Sequence, residues 1–242
     1  MCTVSFLPSK DRFFITSNRD EQPSRSVAFE PVEEVTHNCR LIYPKDPKAG
    51  GTWFAVNENG NVCVLLNGAF EKHISQGNYA MSRGLVLLKV ISAATPVFEL
   101  RTIDLQRIEP FTIILFVNRE LLEFRWDGHR KYFKELDSAQ AYIWSSATLY
   151  DAVVRRQRET LFDGFLKRTT VVRPEDIIGF HSNNHDDFEN GFVINRNDSL
   201  KTLSITQAIV DEDEIGLNHM DLLREKEYFI SMATRHMSNH SK

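Results

Sequence analysis

Residues 61–67 read Asn61-Val62-Cys63-Val64-Leu65-Leu66-Asn67, five apolar side chains in a row between two asparagines. Successive strand residues point to opposite faces, so an unbroken apolar run must be covered on both sides. The run returns from Asn57-Glu58-Asn59-Gly60, and Asn59-Gly60 suits the positive φ angles of a tight hairpin. The outgoing partner is Thr52-Trp53-Phe54-Ala55-Val56, entered through Gly50-Gly51. A hairpin strand with two apolar faces requires a layer above it and a layer below it.

The remaining pattern supplies those layers. Val4, Phe6, Phe14 and Ile15 alternate around Pro8-Ser9-Lys10-Asp11 and predict a first hairpin. Residues 40–43 predict a short strand, and residues 111–117, 121–126 and 129–133 predict an antiparallel trio. Residues 142–146 predict one more strand. A helical period over 79–94 places Leu85, Leu88 and Ser92 on one side with Val86, Val90 and Ala93 close to it, and Pro96 opens a shorter helix. Residues 151–166 predict an amphipathic helix with Val154, Leu161 and Phe165 inward and the arginines outward. A short helix opens at Pro174 and ends near His181, and a hairpin joins 191–194 to 202–208. Residues 21–31 read as an irregular loop, the chain after Asp211 as a charged tail, and residues 238–242 as frayed. Strands, helices, strands, helices and strands again predict an α+β fold, not alternating βαβ units. No linker divides the chain, so residues 1–242 are expected to form one domain of two mainly antiparallel sheets covered outside by helices.

Bulk composition narrows the function. A net charge of −4 with scattered Lys and Arg gives no basic footprint, which argues against nucleic acid. Three cysteines, Cys2, Cys39 and Cys63, are an odd number without metal-type spacing, which points to a reducing compartment and a cytoplasmic location. The longest apolar stretch, 84–94, contains Lys89 and is too short to span a bilayer, and the first residues do not form a signal peptide. The run His181-Ser182-Asn183-Asn184-His185-Asp186-Asp187 reads as a solvated loop, with no metal and no cofactor expected. The expected partner is a small-molecule substrate or ligand.

The chemistry concentrates at the start. Removal of Met1 would leave Cys2 with a thiol and a free α-amine on one carbon. The amine titrates at about 7.7–8.0 and the thiol at about 8.5 when unperturbed. One residue then carries a base and a nucleophile. The first hairpin would bring the tetrad Asn18-Arg19-Asp20-Glu21 beside it. A guanidinium stabilises a thiolate, and a carboxylate holds an amine by a charge-assisted hydrogen bond. Asn67 ends the buried strand and is a second polar group aimed from its terminus.

These motifs carry a resemblance. Met1-Cys2-Thr3, Asn18-Arg19-Asp20-Glu21, Gly50-Gly51-Thr52-Trp53 and Asn57-Glu58-Asn59-Gly60 leading to Asn67 together resemble the NRDE family, the group related to transport and Golgi organization protein 2. Arg196-Asn197-Asp198 followed by Lys201 to Thr206 looks like that family's closing hairpin. More distantly, the start is similar to choloylglycine hydrolases and penicillin acylases, the cysteine N-terminal nucleophile (Ntn) hydrolases. The resemblance implies a four-layer αββα sandwich and cleavage of a linear, non-peptide amide. It implies Cys2 as nucleophile, Arg19 beside the thiol, and Asp20 orienting the α-amine, although the spacing also permits Glu21. It implies Asn67 at the oxyanion. Where relatives carry Ser-Asn on a later strand, this chain has Ser145-Ser146, so Ser146 is expected on the substrate side. A hydroxyl donates one hydrogen bond and does not duplicate an amide. The alternative is a non-enzymatic haem or lipid handling and trafficking protein on the same fold.

Overall fold

The computed structural model describes residues 3–23, 28, 30–36 and 39–235. Along the chain these form β1 (Thr3–Ser9), β2 (Arg12–Glu21), β3 (Pro31–Thr36), β4 (Cys39–Pro44), β5 (Phe54–Asn57) and β6 (Val62–Asn67). Helices α1 (Arg83–Ile91) and α2 (Pro96–Thr102) precede β7 (Phe111–Val117), β8 (Glu120–Trp126), β9 (Lys131–Leu136) and β10 (Tyr142–Ser145). Helices α3 (Ala152–Arg168) and α4 (Pro174–His181) precede β11 (Asn195–Arg196), β12 (Leu200–Val210), β13 (Glu214–Asp221) and β14 (Lys226–Ala233).

The strands build two seven-stranded antiparallel sheets among the described residues. One runs β10-β1-β2-β12-β13-β14, with β11 added on β12, and the other is a meander from β3 to β9. Their facing sides bury Val4, Phe6, Phe13 and Ile15 against Phe54, Val64, Leu66 and Phe116. The outer side of the meander buries Leu65, Ile113 and Leu115 under Val86, Val90 and Leu100 of α1 and α2. The outer side of the first sheet buries Leu7 and Phe14 under Phe162, Ile177 and Phe180 of α3 and α4. Helix, sheet, sheet, helix is the expected αββα sandwich, and β6 is its doubly covered strand, with Val62 to Leu66 all buried.

The inner face of the first sheet changes character along its strands. Cross-strand rows Phe13-Val210-Ile215-Met232 and Ile15-Ala208-Leu217-Ile230 close the sandwich with apolar side chains. The next rows, Ser17-Thr206-His219-Tyr228 and Arg19-Ser204-Asp221, are polar. The polar rows mark the end of the sandwich at which Asn67 also lies.

Three expectations need correction, and one strand, over 31–36, was not expected. The segment after Asp211 is not a tail but two strands, β13 and β14. Its charge hid an alternation, in which Ile215, Leu217 and His219 face the core while Glu214, Asn218 and Met220 are less buried. Residues 31–36 form an edge strand whose acidic side chains pair outward, Glu33 with Arg40 and Glu34 with Lys45. Helix α1 is shorter than the predicted span, and its buried side is centred on Val86 and Val90, with Leu87 and Ile91, while Leu85 is 37% exposed. Residues 191–194 are not a strand; the closing hairpin pairs Asn195 with Lys201 and Arg196 with Leu200. Residues 24–27 and 29 of the loop expected over 21–31, and the frayed end, lie outside the described residues.

Two glycines set how α1 is seated. A Cβ on Gly51 would sit 2.5 Å from the Gly84 carbonyl carbon and 2.7 Å from the Leu85 nitrogen. Backbone, not a flexible side chain, is what it meets. Gly51→Ala is expected to destabilise the protein by about 1–3 kcal/mol, each kcal/mol lowering Tm by about 2–4 °C. Thermal unfolding reads this directly, and an unchanged Tm would show that α1 is not packed against this segment.

Candidate active site

The site grows from the polar end of β2. Thr3 pairs across the sheet with both Asn18 and Ser145, so the tetrad reaches the start of the chain as the first hairpin required. Cys2 itself lies outside the described residues.

Strand alternation splits the tetrad between two faces. Asn18 and Asp20 point to the helical layer, and Arg19 points between the sheets. The Asn18 amide donates to the carbonyl oxygens of His181 (2.9 Å) and Phe192 (3.0 Å), and its Oδ1 meets His181 Nδ1. His181 Nε2 bonds Ser5 Oγ at 2.7 Å. His181 is therefore not part of a solvated loop. It is fully buried at the end of α4, and burial first, then the positive charge of Arg158, pushes its pKa down to about 3. His185 Nε2 lies 3.2 Å from the Phe180 carbonyl oxygen.

Asp20 is held from two sides. Tyr150 donates its hydroxyl to Oδ2 at 2.7 Å, and Thr202 donates to Oδ1 at 2.6 Å. The register between β2 and β12 slips between Thr202 and Ser204, opposite Asp20 and Arg19. Such bulges re-aim side chains beside sites. Glu21, the alternative to Asp20, ends β2 half-buried and lines the cleft described below.

Arg19 is 3% exposed. Its guanidinium lies 4.4 Å from the Trp53 ring centroid and 3.4 Å from Asp46 Oδ2. Asp46 in turn accepts from the Lys48 and Ala49 backbone nitrogens at 2.9 and 3.0 Å, which fixes the turn before Gly50-Gly51. His219, on the neighbouring polar row, packs its ring 6.2 Å from Trp53. Burial drives its pKa down to about 4, opposed by Asp221 and aided by Arg19.

A cleft of about 570 Å³ opens at this end. Arg19, Asp46, Trp53 and Asn67 line it on the sheet side, and Met81, Arg83 and Leu85 line it at the start of α1. The structure thus brings Arg19 and Asn67 into one cleft, as the sequence required, and turns Asp20 to the opposite face of the same strand. Ser146 is not at the cleft. It is 1% exposed, and its hydroxyl donates to the Asn67 carbonyl oxygen at 2.8 Å and bonds Thr148 Oγ1 at 2.9 Å. That hydroxyl ties β10 to the end of β6 and so holds Asn67 in place.

Sequence reasoning missed Tyr150, Thr202, Asp46 and Arg158. Arg158 corrects a specific expectation, because it is 1% exposed rather than outward on α3. Its guanidinium donates to Thr3 Oγ1 and to the carbonyl oxygens of Asn190 and Gly191, and lies 3.6 Å from the Tyr150 ring centroid. A charged residue on a helix gave no sign of this. Thr202 sits inside the Lys201–Thr206 motif, and Asp46 sits between two prolines, where turn chemistry masked it. The other two thiols are poor candidates for the chemistry. Cys63 is fully buried, and burial raises the thiol pKa of both Cys63 and Cys39.

Two stacked antiparallel sheets with helices on both outer faces, and a polar cleft where the first strands meet, define an Ntn-hydrolase-like fold. Solved structures share it. A variant of conjugated bile acid hydrolase from Clostridium perfringens aligns with a TM-score of 0.55 at 12% identity, over 97% of each chain. The Caenorhabditis elegans ortholog of N-acylethanolamine-hydrolyzing acid amidase aligns with a TM-score of 0.60 at 11% identity, over 85% of this chain and 92% of that one. At these identities the likeness is one of fold. The chain belongs to the Transport and Golgi organisation 2 family, whose sequence model matches residues 1–226. No curated protein matches it by sequence. Among the described residues no helix is long and apolar enough to cross a membrane.

Proposed function

We propose that this protein is an amide hydrolase of the cysteine Ntn type, acting on a linear, non-peptide C–N bond. The observation that carries the reading is the shared cleft of Arg19 and Asn67 at the end of the sheet where β1 begins. Met1 is removed, leaving Cys2 first in the chain. The α-amine of Cys2 takes the thiol proton, and the sulfur attacks the carbonyl carbon. Asn67 donates to the developing oxyanion. The amine then passes its proton to the leaving nitrogen as the C–N bond breaks. Water attacks the thioester carbon, giving one proton to the amine; the C–S bond then breaks, the amine returns that proton to the sulfur, and the acid is released. Arg19 favours the thiolate. Asp20, fixed by Tyr150 and Thr202, holds the α-amine. Ser146 supports Asn67 and does not touch substrate. The cytoplasm, where thiols stay reduced, suits this chemistry.

The fold's relatives support the class, since the two solved neighbours named above are by title a conjugated bile acid hydrolase and an N-acylethanolamine-hydrolyzing acid amidase. The apolar side chains of Trp53, Met81 and Leu85 suit the acyl side of a substrate. Asn67→Ala is expected to lower kcat by about 10²–10³-fold with the fold retained, the usual effect of losing one oxyanion donor. An unchanged kcat would remove Asn67 from the mechanism.

The reading is tested by intact mass and thiol labelling of natively purified protein. The expected result is absence of Met1 and one rapidly alkylated thiol, mapped to Cys2. Cys39 and Cys63 should label slowly, being buried with raised pKa values. Retention of Met1, or a Cys2 no faster than a free thiol, contradicts the proposal. Ligand binding that survives Cys2→Ala without any turnover would instead favour the haem or lipid carrier.

A further inference from the structure

Two of the three tryptophans use their indole N–H within the fold. Trp126 Nε1 donates to the Ile108 carbonyl oxygen at 2.9 Å, and Trp144 Nε1 donates to Glu123 Oε2 at 2.7 Å. Trp53 is 3% exposed, and its indole nitrogen is buried and meets no acceptor among the described residues. A buried indole N–H usually finds a partner, because a covered and unpaired one forfeits its bond to water. Phenylalanine or leucine would fill an apolar gap here without that cost. Ser204 Oγ, opposite Arg19 across the strand pair, is also buried and without a partner among the described residues.

Trp53 stands in the wall of the cleft, with the Arg19 guanidinium 4.4 Å from its ring centroid. A cation over the ring face draws electron density from the indole and strengthens its N–H as a donor. The nitrogen is covered, so an oxygen reaches it only as the cleft wall gives. Met81 and Leu85, each 37% exposed, line the same cleft, and methionine is an adaptable side chain. An indole N–H donates only, so its partner is an acceptor. The lining decides the charge of that acceptor. Glu21, Asp46 and Glu109 line the cleft against Arg19 and Arg83. Arg19 is already paired with Asp46 at 3.4 Å, and Arg83 with Glu109 at 3.0 Å. A carboxylate or phosphate would enter among more carboxylates than cations, and an uncharged oxygen does not meet that repulsion. The scissile carbonyl is taken by Asn67, which leaves a second oxygen for Trp53. We infer that Trp53 is a specificity-determining residue whose indole N–H donates to an uncharged oxygen on the acyl chain, a hydroxyl, ketone or ether, so that the cleft prefers oxygenated acyl amides to plain ones. This rests on the reading of the cleft as the substrate site, and not on which group attacks.

Binding is measured on the full chain carrying Cys2→Ala, so that affinity is read without turnover. The probes are N-ethyldecanamide and the same chain hydroxylated at an early, a middle or the terminal carbon. Titration calorimetry gives the affinities, and the indole proton resonances report the donor. Trp53→Phe identifies which resonance belongs to Trp53. One hydroxylated amide is expected to bind about 3–10-fold more tightly than the plain amide, the scale of one hydrogen bond. The Trp53 indole proton should move downfield on binding while those of Trp126 and Trp144 stay. In Trp53→Phe the ratio of the two affinities should fall to about one. A purely structural Trp53 would instead weaken all the amides alike and leave the ratio unchanged. Equal affinities across the panel, a preference that survives Trp53→Phe, or a Trp53 resonance that the plain amide shifts as far, overturns the inference and leaves the cleft standing as the substrate site. Failure of every amide to bind contradicts both. Circular dichroism and Tm report folding. If Trp53→Phe does not fold, the Trp53 resonance, assigned through its own backbone, carries the test.

Discussion

Cys2→Ala is expected to abolish amide hydrolysis, lowering the rate by at least about 10³-fold, the scale seen when a nucleophile is removed from a preassembled site. The size of the effect follows from the division of labour. Arg19 is buried and stacked on Trp53 before any ligand arrives, and Asp20 is fixed by Tyr150 and Thr202. These groups have nothing to act upon without a thiol. Alanine also keeps the α-amine, so the loss isolates the sulfur from the base. The comparison is made on a panel of N-acyl amides by mass spectrometry of the released acid, with Tm as the control for folding. Residual turnover near the wild-type rate would mean that the cleft works through another group or through none.

Acidification from pH 7 to pH 5 is expected to destabilise the protein by about 2 kcal/mol for each deeply buried histidine. His181 has an unfolded pKa near 6.5 and a folded value near 3, and His219 one near 4. Between those limits the unfolded chain binds protons that the folded chain refuses. Stability is therefore fully present above about pH 6.5 and is lost as pH falls through the window toward 3 to 4. Carboxylates with lowered pKa values, such as Glu34 and Glu123, add their own loss only nearer pH 4, so a comparison ending at pH 5 isolates the histidines. Urea unfolding at pH 7 and pH 5 measures the difference. His181→Gln should flatten the dependence even if it lowers stability at pH 7. A pH-independent midpoint would contradict the buried, neutral state of both rings.

Much of the fold could be read from particular residues. The apolar run Val62 to Leu66 demanded cover on both faces and lies at the middle of the sandwich. Asn59-Gly60 placed its hairpin, and the register Thr3 to Asn18 followed from the first turn. What stayed hidden has a common cause, since charge was read as exposure. Glu214 to Asp221 and Lys226 to Ala233 look polar and charged in sequence, but Ile215 and Leu217, and Ile230 and Met232, alternate toward the core and make two strands. Arg158 was placed outward by its type and is buried by its contacts. His181 was placed in a polar loop by its neighbours in sequence and is buried by its partners across the fold, Ser5 and Asn18. In the candidate site, Arg19 and Asn67 converge as the motifs required. Their supports, Asp46 and Ser146, act through hydrogen bonds to distant backbone or side-chain groups that no local pattern encodes.

The most direct measurement is intact mass and peptide mapping of protein quenched during turnover of an activated acyl substrate, such as a p-nitrophenyl ester of a medium-chain fatty acid. The account predicts a chain beginning at Cys2 with a single acyl group on the Cys2 sulfur, absent in Cys2→Ala and longer-lived in Asn67→Ala. An acyl group on Cys39 or Cys63, no acyl adduct at any time, or a chain that still begins with Met1 would contradict it.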